Sequence, residues 1–375
     1  MFGTLAGFGL GTTAMKFVAE HRIKDPAKAG RIIALSSIVS WGTSIALALA
    51  LYAAAPWLAT TALAAPQLTE SLQLSSLLLF LNGINGAQNG VLSGFEAFKS
   101  IAKVSLVSGL LNFPLVIAGA WYFKLDGLIW GLILAQAVGC LMNMVLVRRE
   151  AARHRVPIRF DAWRRESDVI WRFSFPTVLG ALLTGPVHWA CSALLAHEPD
   201  GYIHLGAYNA ASQWINALMW LPWMMSGVTL PMLAERFGAE DSDSTAKLLR
   251  VAIQINAVCV LPLVALGSLF SPVVMGLYGE DFRGDWPTLI ASLATAGVMA
   301  IQQPLVVIIT ASGRVWSGLL LNLIWGVVFL AATWVLLLLD WGSLGLASGQ
   351  LLASVAQGLC AFLYVGIAIP TLRRA

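Results

Sequence analysis

Uncharged amide and indole side chains inside long apolar stretches are the groups of this chain best suited to bind a ligand. They are Asn82, Asn85 and Asn89 in one stretch, and Gln213, Trp214 and Asn216 in a later one. The three asparagines fall within about 60° of one another on a helix, at roughly 100° per residue. Carboxamides hydrogen-bond to hydroxyl groups and indole rings stack on sugar rings. This set therefore predicts a site for a polyhydroxylated ligand, and hydrogen bonds between helices are the alternative role.

Two ionisable side chains inside apolar stretches are further candidates, because a charge within a membrane is costly and marks function by default. Lys16 lies near the end of the first stretch, where it either faces an anionic substrate or extends to the interface. His188 lies in the middle of GPVHWACS. It either packs within the protein, carries a proton or contacts a pyrophosphate.

Enzymatic motifs are absent from the sequence. It contains no Walker A loop, no GxSxG, no HExxH and no Cys/His group with metal-ligand spacing. The four cysteines lie in apolar runs without CxxC spacing, as small buried hydrophobic residues do. We therefore expect no catalytic residue, no metal and no cofactor, and a carrier rather than an enzyme.

The composition is that of a polytopic membrane protein. The 375 residues are 58% hydrophobic and 11% charged, whereas a soluble domain has about 25% charged residues. We predict an all-α protein with one short span at 1–18 and ten full ones, each long enough to cross about 30 Å of hydrocarbon. The full spans are 31–55, 71–94, 103–123, 127–147, 171–195, 205–233, 248–270, 287–311, 315–338 and 343–369.

Charge placement predicts the orientation in the bilayer and a division of the chain. If the first span ends in the cytoplasm, 21 of the 23 Lys and Arg residues fall inside and only Lys124 and Arg283 fall outside. The basic loop Arg148–Asp168 anchors this topology, with binding of an anionic partner as its alternative role. We expect an N-terminal lobe at 1–148, a cytoplasmic linker at 149–168 and a C-terminal lobe at 169–375. The net charge of +4 then indicates membrane lipid and not nucleic acid as the partner.

The two halves resemble each other at a nearly constant offset. Ala27–Arg31 aligns with Ala246–Arg250, and Ser93-Gly94 with Ser312-Gly313, at 219 residues. Duplicated lobes are common in transporters, so we predict two parallel-repeat lobes of about six transmembrane helices. The same offset predicts that the first lobe lacks its N-terminal helix and part of the second, with about 45 further residues expected upstream of Met1.

Glycine and asparagine form separate stripes on the predicted span 71–94. Gly86, Gly90 and Gly94 recur every four residues, and small residues at that spacing allow a neighbouring helix to approach closely. We expect the glycine stripe to pack against a helix and the asparagine stripe to line the substrate path.

Several glycine and proline placements resemble the polysaccharide and lipid-oligosaccharide flippases of the multidrug/oligosaccharidyl-lipid/polysaccharide exporter superfamily. They are Gly7–Glu20, the hinge Gly90–Lys99, Phe175-Pro176, Gly206-Ala207-Tyr208 with Leu230-Pro231, and Pro272–Phe282. The resemblance implies a bacterial inner-membrane flippase that moves an undecaprenyl-pyrophosphate-linked oligosaccharide by alternating access, in contact with polysaccharide-synthesis enzymes. Two alternatives remain: a cation-coupled multidrug-type antiporter, and an inactive truncated chain that serves as an assembly partner.

Overall fold

A computed structural model describes residues 9–62, 66–160, 163–239 and 242–368. All regular structure in these ranges is helical, as predicted. The chain divides into two compact units, Met1–Val178 and Leu179–Ala375. Parts of the sequence predictions lie outside the described residues: positions 1–8 of the short first span with the start of the Gly7–Glu20 motif, residues 161–162 of the basic loop, and residue 369.

The first unit contains four long helical segments and several short turns. The helices are α1 (Leu10–His21), α2 (Pro26–Trp57), α3 (Thr69–Gly94) and α4 (Phe98–Arg153). The short elements are the π-helical turns Leu58–Ala62 and Ile170–Ser174, and the 3₁₀ turns Pro66–Leu68 and Trp163–Glu166. Helix α2 begins where the Asp25 side chain accepts a hydrogen bond from the Lys28 backbone N–H at 2.9 Å. Pro26, which lacks an N–H, occupies its first turn.

Helix α4 consists of two arms that fold back on each other. The backbone leaves helical geometry at Phe123 and at Lys124, where φ is 52° and ψ is −129°. The arms, 98–122 and 125–153, approach at two glycines. A Cβ at Gly119 would lie 2.0 Å from the carbonyl oxygen of Gly127, and the reverse distance is also 2.0 Å. Both ends of α4 are therefore brought to the same end of the unit.

The glycine stripe of α3 packs against α1. A Cβ at Gly90 would lie 2.0 Å from the Gly11 carbonyl oxygen, and one at Gly94 would lie 2.8 Å from Cβ of Val18. A Cβ at Gly86 would meet nothing within 4 Å, although its carbonyl oxygen lies 2.7 Å from where a Gly11 Cβ would be. The predicted helix contact is thus confirmed at Gly90 and Gly94, and its partner is α1.

The second unit contains the remaining helices. They are α5 (Phe175–Ala196, which begins at the end of the first unit), α6 (Gly201–Ala239), α7 (Ser242–Leu269), α8 (Ser271–Gly276), α9 (Trp286–Ala311), α10 (Val315–Leu337) and α11 (Gly342–Ala368). A 3₁₀ turn at Glu280–Asp285 precedes α9. The core surrounds Phe329 of α10, which is fully buried among Cys191, Leu195, Leu346 and their neighbours.

Eight helices in the described part of the chain are long and apolar enough to cross a membrane. Each of the predicted full spans coincides with one of the long helices, with 103–123 and 127–147 forming the two arms of α4. Helix α3 is 26 residues long but is not one of the eight, although a span was predicted there. Its three asparagines and its glycines lower its mean hydropathy. The close contact of Gly90 and Gly94 with α1 holds this helix within the unit.

A pair of hydrogen bonds shows the internal repeat. Ser71 of α3 bonds to Asp126 of α4 at 2.6 Å, and Thr288 of α9 bonds to Ser343 of α11 at 2.9 Å. Both partners of the second pair stand 217 residues after those of the first. Equivalent helices in the two units are therefore joined at equivalent positions, as two parallel-repeat lobes require.

Candidate functional site

A polar cavity of about 580 Å³ lies within the second unit, and we call it the amide cavity. Its lining contains seven carboxamides, and none of its lining residues is Asp, Glu, Lys or Arg. The carboxamides are Asn209, Asn216, Gln302, Gln303, Asn322, Gln350 and Gln357. Hydroxyl-bearing and aromatic residues complete the lining, among them Ser192, Ser212, Ser354, Thr184, Tyr208, Trp223, Trp325 and His188.

Hydrogen bonds hold several of these carboxamides in place. Gln357 accepts from Gln302 Nε2 at 3.3 Å and donates from its own Nε2 to Asn322 Oδ1 at 2.9 Å. The Tyr208 hydroxyl donates to Gln350 Oε1 at 2.9 Å. These bonds join α9, α10, α11 and α6, so the donors and acceptors of the cavity are oriented before any ligand enters.

Two polar atoms of the amide cavity are buried without a hydrogen-bond partner, Gln302 Oε1 and the Ser354 hydroxyl oxygen. A Cβ at Gly358 would lie 2.7 Å from Gln302 Oε1. The glycine thus allows α11 to approach the side chain closely. A buried acceptor without a donor carries a desolvation penalty, which a bound water or ligand hydroxyl would relieve.

The aromatic wall of the cavity is built around His188. Its ring centroid lies 5.3 Å from that of Trp325 and 5.1 Å from that of Phe329. Trp223 lines the same cavity and its side chain is about half exposed at 47%. Indole faces beside hydrogen-bonding amides match the alternating apolar and hydroxyl faces of a sugar ring.

The structure brings two of the predicted site residues, His188 and Asn216, to the amide cavity. Gln213 is exposed on α6 and is not among the lining residues. Trp214 packs against the apolar group around Ala207, Met275 and Leu289, also outside the cavity. The ligand-binding roles of all four stay predictions.

The predicted asparagine stripe lies in the first unit, where it meets the second arm of α4. Gln136 Nε2 donates to Asn82 at 2.7 Å, and Asn85 Nδ2 donates to the Gln136 carbonyl oxygen at 3.2 Å. Asn143 Nδ2 donates to Asn85 at 3.1 Å and to Asn89 at 3.3 Å. The stripe therefore makes hydrogen bonds between helices, and its predicted role in the substrate path stays a prediction.

Lys16 is buried in the first unit with its charge compensated. Its Nζ pairs with the Glu20 carboxylate one turn along α1 and lies 4.0 Å from the centroid of the Phe17 ring. Only 4% of the residue is exposed. A substrate phosphate would have to compete with Glu20 for this amine.

The sequence prediction missed much of the amide cavity. Asn322, Gln350 and Gln357 were not selected, nor were Tyr208 and Trp325. A usable signal was present, because Gln350 and Gln357 are seven residues apart and so share a face of α11.

Comparisons with known proteins agree with this architecture. Residues 34–285 match the family described as "Polysaccharide biosynthesis protein". The EPS I polysaccharide export inner membrane protein EpsE of Ralstonia nicotianae is 25% identical over 335 residues, which cover 86% of this chain and 74% of that protein. Its counterpart in Ralstonia solanacearum is 25% identical over 310 residues, covering 80% and 69%. Together with the eight span-length helices, these relatives confirm the predicted multi-pass protein of the bacterial inner membrane.

Solved transporter structures share the fold. A MATE transporter in the bent conformation superposes with a TM-score of 0.90 at 17% identity, over 100% of this chain and 86% of that one. A transporter of the MOP superfamily from Pyrococcus furiosus gives a TM-score of 0.86 at 18% identity with the same coverage. The predicted all-helical fold of two lobes is therefore confirmed.

Proposed function

We propose that this chain, which belongs to the polysaccharide biosynthesis protein family, moves a lipid-linked oligosaccharide across the bacterial inner membrane by alternating access, with the glycan bound in the amide cavity. The named relatives are export proteins of the inner membrane. Transport, and not chemical conversion of the glycan, is the activity we assign. The undecaprenyl-pyrophosphate carrier and contact with polysaccharide-synthesis enzymes are part of the same proposal.

The observation that carries the proposal is the chemistry of the amide cavity. A carboxamide donates and accepts hydrogen bonds at once, as a sugar hydroxyl does. Seven of them with two indoles form a lining that can satisfy many hydroxyl groups in more than one orientation. Such a lining suits a neutral, polyhydroxylated ligand better than an ion.

The alternative, a cation-coupled small-molecule antiporter, has less support from the same cavity. A drug cation or a coupling ion within a membrane is normally balanced by a carboxylate. None of the residues that line the amide cavity in the described part of the chain is acidic. We therefore propose a glycan, and not a small cation, as the ligand of the amide cavity.

Asn216 and Gln213 offer a matched test on one helix. Both are exposed amides of α6 three residues apart, but only Asn216 lines the cavity. Neither makes a side-chain hydrogen bond within the described residues, so Ala at either position should fold normally. One lost hydrogen bond to a hydroxyl is worth about 1 kcal/mol, or about fivefold in rate or affinity.

The measurement is export in cells that lack the natural gene, read as surface polysaccharide per membrane-inserted protein. Asn216→Ala should reduce it about fivefold, with the lipid-linked precursor accumulating, and Gln213→Ala should leave it unchanged. Normal export by Asn216→Ala, or an equal loss in both variants, would place the glycan outside the amide cavity.

A further inference from the structure

A second cavity, of about 830 Å³, lies at one end of the first unit, and we call it the basic cavity. It is lined by Arg22, Phe95, Glu96, Ala97, Lys99, Ser100, Lys103, Leu146, Arg149, Glu150, Arg153 and His154. Its lining thus contains five Lys or Arg side chains and two carboxylates. The glycan-binding role proposed above does not involve it.

Three separated segments bring these cations together. Arg22 follows the end of α1, Lys99 and Lys103 lie in the first turns of α4, and Arg149 and Arg153 lie in its last turns. The two ends of α4 meet only because its arms fold back at Phe123–Lys124. The cations are therefore gathered by the fold and are not a single run of basic sequence.

The two carboxylates of the cavity are already engaged. Glu96 lies 3.0 Å from Arg22 Nη2, and Glu150 lies 3.8 Å from Arg153 Nη1. Lys99, Lys103 and Arg149 have no carboxylate within salt-bridge distance among the described residues. The lining therefore carries an excess of positive charge, which an anion would neutralise.

Arg22 and His154 form the fixed part of the wall. The Arg22 guanidinium is 6% exposed and also donates from Nη1 to the Gly94 carbonyl oxygen at 3.1 Å. His154 stacks on Phe95 with 5.2 Å between ring centroids and 19° between planes. The exposed cations Lys99, Lys103 and Arg149 thus lie around side chains that are already held in place. The entropy cost of ordering the site when an anion binds is therefore small.

We propose that the basic cavity binds the phosphate head group of an anionic phospholipid such as phosphatidylglycerol. Several cations approaching from different sides match the several oxygens of a phosphate, and arginine can bind them in a bidentate way. The distribution of Lys and Arg along the sequence predicts that this end of the unit is cytoplasmic, where basic groups meet anionic lipid head groups. Binding here does not depend on the glycan cavity or on transport.

The competing explanation is that these residues are ordinary positive charges of a cytoplasmic surface. The basic loop supplies a control for it, because Arg159, Arg164 and Arg165 are exposed, lie on the same predicted side and are not part of the basic cavity. Changing them to Gln removes the same charge. If the basic cavity is a specific site, only its own variants should lose lipid binding. If the positive charge of the whole surface attracts the lipid, both sets of variants should lose it equally.

The experiment uses the full chain, purified and examined by native mass spectrometry with phosphatidylglycerol, with phosphatidylcholine, and with inorganic pyrophosphate. The wild type should retain phosphatidylglycerol in preference to phosphatidylcholine. The triple variant Lys99→Gln, Lys103→Gln, Arg149→Gln should bind it at least about tenfold more weakly, since three basic groups that attract the anionic head group are lost. The Arg159, Arg164, Arg165 triple should change the affinity less than twofold.

Equal losses in the two triple variants, or no loss in the first, would overturn the proposal. Binding of pyrophosphate without any preference for phosphatidylglycerol would assign the cavity to a soluble anion and overturn the lipid assignment. The single variants Lys99→Gln and Arg149→Gln, checked for unchanged thermal stability, cover the case in which the triple variant does not fold. Export is not part of the readout, so failure here is distinguishable from failure of the glycan proposal.

Discussion

Asn85 in the first unit and Gln302 in the second stand 217 residues apart and occupy equivalent places in the repeat. Asn85 hydrogen-bonds to Asn143 and to the Gln136 carbonyl oxygen on the second arm of α4. Gln302 bonds to Gln357 on the equivalent helix, α11. The same kind of interhelical amide contact has therefore been kept in both units.

The surroundings of these contacts differ. The amides of the first unit bond mainly to one another, and the cavity beside them, which reaches Asn82 and Gln136, measures about 300 Å³. The amides of the second unit line a cavity of about 580 Å³. Each network also has a buried acceptor without a hydrogen-bond partner, Asn143 Oδ1 in the first unit and Gln302 Oε1 in the second. The two networks therefore differ mainly in the space beside them, and our proposal places the ligand in the larger cavity of the second unit.

The largest effect should come from the backbone contact that supports the first network. Gly90→Ala would place a Cβ 2.0 Å from the Gly11 carbonyl oxygen, and neither backbone can move without separating α1 from α3. We expect a loss of about 3 kcal/mol or more, seen as little folded protein by size-exclusion chromatography.

Gly86→Ala is the control one turn away on α3. A Cβ there meets nothing within 4 Å, so the substitution should be neutral or stabilise the helix by up to about 1 kcal/mol. Similar yields for the two variants would mean that the glycine contact is not what joins these helices.

A smaller effect should distinguish the two amide networks. Asn143→Ala removes the donor to both Asn85 and Asn89, and should destabilise the protein by about 2 kcal/mol while export per folded molecule stays normal. Gln357→Ala should lower the melting temperature less, because water can enter the open cavity, but should lower export more. The reverse pattern would assign the substrate path to the first unit, as the sequence predicted.

A substitution in the aromatic wall of the amide cavity should lower the affinity for the glycan by a few fold. Trp223 lines the cavity, whereas Trp220, three residues earlier on α6, does not. If the indole stacks on a sugar ring, a contact worth about 1 kcal/mol is lost and Trp223→Ala lowers glycan affinity about fivefold. Trp220→Ala should bind normally in the same tryptophan-fluorescence titration with a soluble oligosaccharide.

The smallest effect concerns acid stability of the first unit. Burial, and next the Arg22 guanidinium, hold the pKa of His154 below its ordinary value of 6.5, with Glu150 partly offsetting them. The unfolded chain therefore binds a proton near pH 6.5 that the folded chain does not. The stabilisation is complete above that pH and is lost as the pH falls toward the lower folded pKa.

His154→Gln should accordingly flatten the fall in melting temperature between about pH 7 and pH 5. His197→Gln, an exposed change in the other unit, is the control. An unchanged pH profile in the His154 variant would show that this imidazole titrates as it does in the unfolded chain.

Most of the fold could be predicted from the sequence because each span is a local property. The length of an apolar run and its glycine spacing predict a helix and one of its faces, as at Gly90 and Gly94. The sequence did not predict that α1 is the helix against which α3 packs. That outcome depends on contacts between helices, which the periodicity within one helix does not contain.

The candidate site was only partly predictable for the same reason. His188 and Asn216 were selected as polar groups in apolar surroundings, and both line the amide cavity. Gln213 and Trp214 fitted the same criterion equally well but do not line the cavity. Asn322 and Gln357 are 35 residues apart and become neighbours only when α10 and α11 pair.

The uncharged lining of the amide cavity has an electrical consequence. Moving one elementary charge across a membrane potential of 100 mV involves about 2.3 kcal/mol. In the alternating access proposed above, a wall without Asp, Glu, Lys or Arg and with His188 neutral would move no net charge from one side of the bilayer to the other. The membrane voltage would therefore exert no force on the empty cavity, and would act on the loaded carrier only through the charge that the substrate brings.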